Sequence, residues 1–268
     1  MTISSAGPLE SALRARRDAG AKLLVPYVTG GLDDDWVSTV EAVAAAGADA
    51  IEIGIPFSDP VMDGPVIQEA SARALARSVT PTQILAEIAQ VHLNVPLTVM
   101  TYYNLVFRAG LGEFAGALAA SGIAGAIVPD LPLEELDDWA AAAGEAGVET
   151  ILLAAPTTDD DRLVQICQRS RGWVYGVGVM GVTGERTGLA ASATLMGKRL
   201  RAATDKPVLI GVGVSTPEQA VEACEYADGV IVGSALVRRL LEGSGPEGAA
   251  RFVAELRAGL DGESSGAL

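Results

Sequence analysis

Positive charge and long hydrophobic runs are both scarce in this sequence. The 268 residues carry a formal net charge of −15, and a chain of that sign repels the phosphates of nucleic acids and of anionic lipid headgroups. Its longest apolar runs, such as residues 122–128, fall far short of the roughly 20 residues that span a bilayer. No charged-then-apolar leader opens the chain. We therefore predict a cytoplasmic protein with neither nucleic acid nor a membrane as its main partner.

Cysteine and histidine, which supply disulfides and most zinc sites, are also rare. Cys167 and Cys224 are the only cysteines. They lie far apart, each within a helical pattern, which predicts buried structural thiols rather than a disulfide framework. His92 is the only histidine, and it lies at the end of a predicted helix. We therefore predict no metal site and no histidine-based catalysis.

Apolar residues make up 49% of the chain, and short β-branched runs alternate with longer, alanine-rich amphipathic segments. This rhythm is typical of repeated βα units around a parallel sheet. The predicted strands are residues 23–28, 50–54, 97–101, 126–129, 150–154, 173–177, 208–211 and 230–233. The predicted helices are residues 36–46, 67–76, 81–92, 111–121, 133–143, 160–169, 191–203, 217–225 and 235–242, with an additional leading helix at 11–19.

Eight strands in a steady βα rhythm predict a closed barrel. We expect an α/β fold, a (β/α)8 TIM barrel with an extra N-terminal helix, that forms one domain over residues 1–268. A doubly wound open sheet is the alternative, but no second zone of composition accompanies the repeat. Residues 261–268 are rich in glycine and serine, and we expect this tail to be frayed.

In such a barrel the reactive groups lie at the C-terminal ends of the strands and in the loops that follow them. Lys22 and Lys206 precede predicted strands, and Lys198 falls on a predicted helix. No lysine is therefore placed to form a Schiff base at the barrel mouth. The candidates that remain near strand ends are acidic, namely Glu52, Asp59, Asp63 and Asp130.

Strand alternation selects Glu52 among these acids. Ile51 and Ile53 share the face that packs beneath helices, so Glu52 faces the barrel interior. Burial raises the pKa of a carboxylate, and a group that titrates near neutrality can both donate and accept a proton. We therefore predict that Glu52 is a general acid-base. The alternative is a structural glutamate paired with arginine, but no arginine is evident at a strand end.

The loop at residues 56–65 is dense in turn-forming residues, and an ordered turn is its simplest interpretation. Asp59 lies between two prolines and can bond its own backbone, whereas Asp63 precedes Gly64-Pro65 and can be presented over the mouth. Three aromatic residues near strand ends could either line the pocket of an aromatic ligand or fill the core; they are Tyr102, Trp173 and Tyr175.

Glycine-bearing turns follow the last three predicted strands. Barrels commonly bind phosphate at these loops through backbone N–H groups and a helix N-terminus, so an acidic chain could hold an anion there. The alternative is that the glycines only ease tight turns. The candidate phosphate-binding residues are Gly181, Thr183, Gly184, Gly211, Gly213, Gly233 and Ser234.

The segment at residues 52–60, Glu-Ile-Gly-Ile-Pro-Phe-Ser-Asp-Pro, with Asp63-Gly64-Pro65 after it, resembles the signature of the tryptophan synthase α subunit family. The resemblance covers nearly the whole chain and continues through residues 102, 104–107, 128–132, 181–184, 211–213 and 233–234. The sequence departs from the family pattern at Met62, Gly31-Leu32 and Trp173, where alanine, Asp-Pro and tyrosine are common.

The resemblance implies a reaction, the reversible retro-aldol cleavage of indole-3-glycerol phosphate to indole and glyceraldehyde 3-phosphate in tryptophan biosynthesis. It implies that Glu52 protonates the indole C3 and removes the proton of the neighbouring hydroxyl, while Asp63 accepts the indole N–H. It also implies that Tyr175 lies beside the substrate. The implied phosphate site is Gly184, Gly213, Gly233 and Ser234, and the implied indole pocket includes Tyr27, Tyr102, Ile127 and Pro129.

The resemblance further implies that this chain has no cofactor of its own and that a β subunit carrying pyridoxal phosphate receives the indole in an αββα heterotetramer. We hypothesise that Asp59 and the helix after it contact that subunit, and that Thr183 closes over Glu52 and Asp63. The alternatives are another phosphate-binding barrel enzyme such as an isomerase, a free-standing lyase, or a non-catalytic subunit that activates a partner. A buried Glu52 argues against the last, since a scaffold does not require it.

Overall fold

Eight parallel strands close into a barrel in the computed structural model of the chain. The structure describes residues 6–178 and 186–262; for residues 186–192 it describes the backbone alone. The strands are β1 (Leu23–Thr29), β2 (Ile51–Gly54), β3 (Leu97–Met100), β4 (Ile123–Ile127), β5 (Glu149–Ala154), β6 (Val174–Val177), β7 (Val208–Gly211) and β8 (Gly229–Val232). Each strand pairs with the next along the chain, and β8 pairs with β1. The predicted (β/α)8 TIM barrel is confirmed.

Helices connect successive strands and surround the barrel. Within the described residues they are α1 (Pro8–Asp18), α2 (Trp36–Ala45), α3 (Pro65–Ala76), α4 (Pro81–Ile88), α5 (Tyr103–Ala109), α6 (Leu111–Ala120), α7 (Leu136–Ala146), α8 (Asp160–Arg169), α9 (Arg186–Ala203), α10 (Pro217–Ala223), α11 (Ser234–Leu241) and α12 (Gly245–Leu260). A short 3-10 turn, Leu133–Glu135, precedes α7. The predicted N-terminal helix is confirmed as α1. None of the described helices combines the length and the apolar content that a membrane span requires.

Two helices, α5 and α12, are absent from the predictions. The first N–H of α5, at Tyr103, donates to the Asp130 carboxylate at 2.9 Å, so this seven-residue helix depends on a cap from a distant loop. The longer α12 buries Phe252, Val253 and Leu256 and packs on α2 and α10. Its apolar residues have helical spacing, so the pattern was present in the sequence, and the prediction that ended the last helix at residue 242 was wrong.

Several predicted ends were wrong by a few residues. The helix predicted to reach His92 ends at Ile88, and His92 is exposed in the loop that follows. The helix predicted to end at residue 143 continues to Ala146, where Gly147 caps α7 with φ 79°. Trp173 lies just before β6, and Pro129 lies beyond the end of β4.

The remaining predicted ends differ in the same way. The bounds given above replace those predicted for six strands and eight helices. The strands are those predicted at residues 23–28, 50–54, 97–101, 126–129, 150–154 and 230–233. The helices are those predicted at residues 11–19, 36–46, 67–76, 111–121, 133–143, 191–203, 217–225 and 235–242. Helix ends depend on local caps and tertiary packing that hydrophobic periodicity does not encode.

The first two residues of the tail predicted to be frayed, Asp261 and Gly262, are ordered in a turn. Asp261 donates its backbone N–H to the carbonyl of Arg257 at 2.9 Å, and its carboxylate pairs with the Arg257 guanidinium at 2.7 Å. Asp261 and Gly262 therefore form the turn that closes α12. Residues 263–268, which make up the rest of that tail, lie outside the described residues.

Helix α1 closes the bottom of the barrel. Leu9 and Leu13 are fully buried among the inward side chains of the strands, and a Cβ at Gly125 or Gly172 would lie within 3 Å of the Leu9 side chain. The buried Glu149 carboxylate on β5 accepts the Leu9 N–H at 2.7 Å. Because the bottom is filled and capped in this way, the barrel interior is accessible from the C-terminal ends of its strands.

Candidate active site

Glu52 points into the barrel from β2. It is 1% exposed and lies beside Tyr27 and Thr98 in the strand register, as alternation predicts. Burial raises the pKa of Glu52 to about 8, and the negative charge of Asp63 adds to the shift. Within the described residues no arginine bonds this carboxylate, and Glu52 Oε2 has no hydrogen-bond partner. The arginine-paired structural role is therefore not supported, and Glu52 can exchange a proton near neutral pH.

Asp63 is the second acid at the mouth. The Tyr102 hydroxyl interacts with it and accepts a hydrogen bond from the Met62 N–H at 3.0 Å. Burial raises the pKa of Asp63, while the Tyr102 hydrogen bond opposes the shift. Since the charge of Asp63 also raises the pKa of Glu52, the two acids share one electrostatic site.

The other acidic candidates have local structural partners. Asp59 is exposed, and its carboxylate accepts a hydrogen bond from the Ser58 hydroxyl. Asp130 accepts the N–H of Tyr103 and so caps α5. The structure therefore brings Asp63, and not Asp59, to Glu52. No cluster of three or more histidine, cysteine or acidic residues suited to a metal ion occurs within the described part of the chain.

Three tyrosines surround the acids, and glycines make room for two of them. A Cβ at Gly54 would lie 1.7 Å from the Tyr27 hydroxyl, and a Cβ at Gly211 would lie 2.7 Å from the Tyr175 ring. Burial raises the pKa of both Tyr27 and Tyr175, so both phenols remain protonated. Tyr102 stacks on Phe57 with ring centroids 4.9 Å apart. Trp173, by contrast, is fully buried in the barrel core.

Glycine-bearing backbone also lies at the mouth where β7 and β8 end, on the far side of β1 from Glu52. Gly211 is the last residue of β7, Gly213 adopts φ 79° in the loop after it, and Ser234 begins α11 directly after Gly233. The first N–H groups of a helix have no partner within the helix and favour an anion. The other predicted phosphate-binding residues, Gly181, Thr183 and Gly184, lie outside the described residues.

An apolar cavity of about 230 Å³ adjoins the mouth beside β4, β5 and β6. Pro129, which was predicted to shape an indole pocket, lines it, while Ile127 is fully buried in the inner core. Leu153 and Val177 also line the cavity and are absent from the predictions. Both share the inward face of a strand with Ile151 or Tyr175, so alternation applied to every strand would have found them.

This chain is similar to known proteins in both sequence and fold. The sequence model described as "Tryptophan synthase alpha chain" matches residues 13–261. The tryptophan synthase alpha chain of Picosynechococcus sp. is 46% identical over 88% of this chain and 92% of its own length, and that of Thermobifida fusca is 42% identical over 94% and 97%.

Solved structures give the same result at the level of the fold. Mycobacterium tuberculosis tryptophan synthase in space group F222 matches with a TM-score of 0.88 and 39% identity, over 96% of this chain and 99% of that one. The family match, the identities and the shared fold agree over almost the whole length. The chain belongs to the tryptophan synthase alpha chain family.

Proposed function

We propose that this chain cleaves indole-3-glycerol phosphate reversibly to indole and glyceraldehyde 3-phosphate, the lyase half-reaction that its family carries out in tryptophan biosynthesis. The observation that supports this most directly is the buried Glu52 beside Asp63 at the barrel mouth. A carboxyl group whose pKa is raised to about 8 is largely protonated at neutral pH and can act as an acid and then as a base.

In this proposal Glu52 moves both protons of the reaction. Protonated Glu52 gives its proton to the indole C3, and Asp63 accepts the ring N–H in a hydrogen bond that stabilises the positive charge formed on the ring. The Glu52 carboxylate then removes the proton of the adjacent hydroxyl. The electrons of the substrate O–H bond form the aldehyde C=O, and the electrons of the breaking C–C bond return to the indole ring. Indole is then released, and Glu52 is protonated again.

The remaining predicted residues bind the substrate in this proposal. Tyr175 packs beside the breaking bond, and the indole pocket is shaped by Tyr27, Tyr102, Ile127 and Pro129. The phosphate group binds backbone N–H groups near the start of α11. The proposed phosphate-binding residues are Thr183, Gly184, Gly211, Gly213, Gly233 and Ser234.

A partner subunit is also part of the proposal. Val61 and Phe107 are 75% and 68% exposed; Val61 lies in the loop after β2, and Phe107 lies on α5, which follows β3. Exposed apolar side chains next to a site are typical of protein interfaces. We propose that this face, together with Asp59 and α3, binds a β subunit that carries pyridoxal phosphate, in a cytoplasmic αββα heterotetramer, and that this chain has no cofactor of its own.

The Tyr102 hydroxyl offers a route by which partner binding could reach the acids. It accepts the Met62 N–H on one side and interacts with Asp63 on the other, and Met62 is next to the exposed Val61. A partner that ordered this loop would therefore also position Asp63. The hypothesis that Thr183 closes over the acids concerns a residue outside the described part of the chain.

The decisive experiment measures indole release from indole-3-glycerol phosphate with and without a tryptophan synthase β subunit. We expect measurable release by the chain alone and at least tenfold more with the β subunit. Equal rates would instead indicate a free-standing lyase.

Glu52→Gln keeps the size of the side chain, and we expect it to abolish release while circular dichroism shows an intact fold. A fully active Gln variant would refute the assignment of Glu52.

A further inference from the structure

Tyr27 links the two halves of the candidate site. On one side it is the register neighbour of Glu52 on β2, and its hydroxyl fills the space that a Cβ at Gly54 would occupy, 1.7 Å away. On the other side, its own Cβ lies 3.6 Å from the Cβ position of Gly233, directly after β8. The tyrosine ring therefore begins at the proposed phosphate site and ends at the acids.

The surroundings of Tyr27 make its hydroxyl a candidate donor. The residue is 6% exposed. Register and alternation place three other inward residues at the same height in the barrel, Met100, Leu153 and Gly211, and none of them has a hydrogen-bonding side chain. A buried phenol hydroxyl benefits from a ligand that can pair with it.

Burial and the charges of Asp63 and Glu52 raise the pKa of Tyr27, so its hydroxyl keeps its proton. The neighbouring Thr29 hydroxyl opposes that shift. That interaction is weaker than a full hydrogen bond, since Thr29 Oγ1 has no partner within hydrogen-bond geometry among the described residues. The phenol proton is therefore free to be donated to a bound molecule.

The substrate of the proposed reaction has two hydroxyls on the short chain between its phosphate and its indole ring. With the phosphate near Gly233 and the ring near Glu52, that chain must pass along the Tyr27 ring. We infer that the Tyr27 hydroxyl donates a hydrogen bond to a hydroxyl of this chain and thereby holds the reacting hydroxyl toward Glu52. This inference rests on the proposed function and makes Tyr27 a specificity-determining residue for hydroxylated phosphate esters.

The test uses Tyr27→Phe, which keeps the ring and removes only the hydroxyl. Two ligands are compared, indole-3-glycerol phosphate and indole-3-propanol phosphate, which has the same ring and phosphate but no chain hydroxyls. We expect kcat/KM for cleavage to fall about tenfold, the effect of one lost hydrogen bond in a dry site. We expect the Kd of the hydroxyl-free analogue, measured by calorimetry, to change less than twofold.

Tyr226→Phe is the matched control, because this tyrosine lies away from the mouth with its ring against Lys198, and we expect neither quantity to change. If Tyr27→Phe weakened cleavage of the substrate and binding of the analogue equally, the variant would have altered the shape of the pocket. If it changed neither quantity, the hydroxyl would be unused. Either result would overturn the inference. If the unsubstituted chain released no indole, the proposed function would fail, while calorimetry with both ligands would still test Tyr27.

Discussion

The chemistry at Glu52 depends on the difference between its pKa in the folded chain and in water. The folded value of about 8 lies above the ordinary 4.5 because burial penalises the charge and Asp63 repels it. Between these two values the folded chain binds a proton that the unfolded chain has lost. The free energy of unfolding therefore decreases as pH rises from about 4.5 to about 8.

This linkage gives a prediction at the scale of a single residue. Glu52→Gln cannot ionise, so we expect it to lose less stability than the unsubstituted chain between pH 5 and pH 8, with a difference on the order of 2 kcal/mol. Denaturant unfolding at the two pH values measures it. We also expect kcat/KM of the unsubstituted chain to decline as pH rises above about 8, because Glu52 then loses the proton that it donates. Identical pH dependence of stability in the two proteins would mean that Glu52 titrates normally.

At the scale of elements, two of the three lysines stabilise helix ends. Lys206 Nζ donates to the carbonyls of Cys167, Gln168 and Ser170 at 2.8, 3.1 and 2.5 Å, at the end of α8. Lys22 Nζ donates to the carbonyls of Cys224 and Ala227 at 2.6 and 3.0 Å, at the end of α10. Cations at helix C-termini satisfy carbonyls that lack partners within the helix. Both lysines are therefore occupied at the bottom rim, away from the mouth, as their place before strands predicts.

We expect Lys206→Met to lower the free energy of unfolding by about 1–3 kcal/mol, because it removes charged hydrogen bonds to three carbonyls, two of them partly buried. Lys198→Met is the control, since that ammonium is exposed and lies 4.3 Å from the centroid of the Tyr226 ring, where the interaction contributes about 0.5–1 kcal/mol. Urea unfolding compares the two variants. A larger loss for Lys198→Met than for Lys206→Met would contradict the assigned role of Lys206.

At the scale of the whole molecule, the barrel directs its polar and exposed apolar groups to one end. The bottom is filled by α1, whereas the top has the acids, the cavity and the exposed Val61 and Phe107. The net charge of −15 keeps the chain soluble but does not attract an anionic substrate. In the proposed function, phosphate binding then depends on local N–H groups, and partner binding on the apolar face.

The apolar face can be tested with Phe107→Ser. We expect this variant to reduce the ratio of indole release with the β subunit to release without it by about tenfold, because an exposed aromatic side chain is a typical centre of binding energy at an interface. Val221→Ser is the control, since Val221 is also exposed, at 46%, but lies on α10 beside the barrel. Equal ratios for both variants would place the interface elsewhere.

Much of this fold can be predicted from local patterns. Period-two alternation orients Glu52 inward whatever the neighbouring strands do, and the βα repeat specifies a parallel sheet. The placement of Lys22, Lys198 and Lys206 relative to predicted strands also excludes a Schiff-base lysine from the mouth. These conclusions depend only on residues that are close together in the sequence, which explains why they agree with the structure.

Other features were decided by the tertiary structure. The choice of Asp63 over Asp59 depends on the Tyr102 hydroxyl, about forty positions away in the chain, and the existence of α5 depends on the cap from Asp130. The position of Tyr27 between Glu52 and Gly233 exists only once β1 pairs with both β2 and β8. Loops take their conformation from contacts that are distant in sequence, so hydrophobic periodicity alone orients the acid on β2 but leaves its partners undetermined.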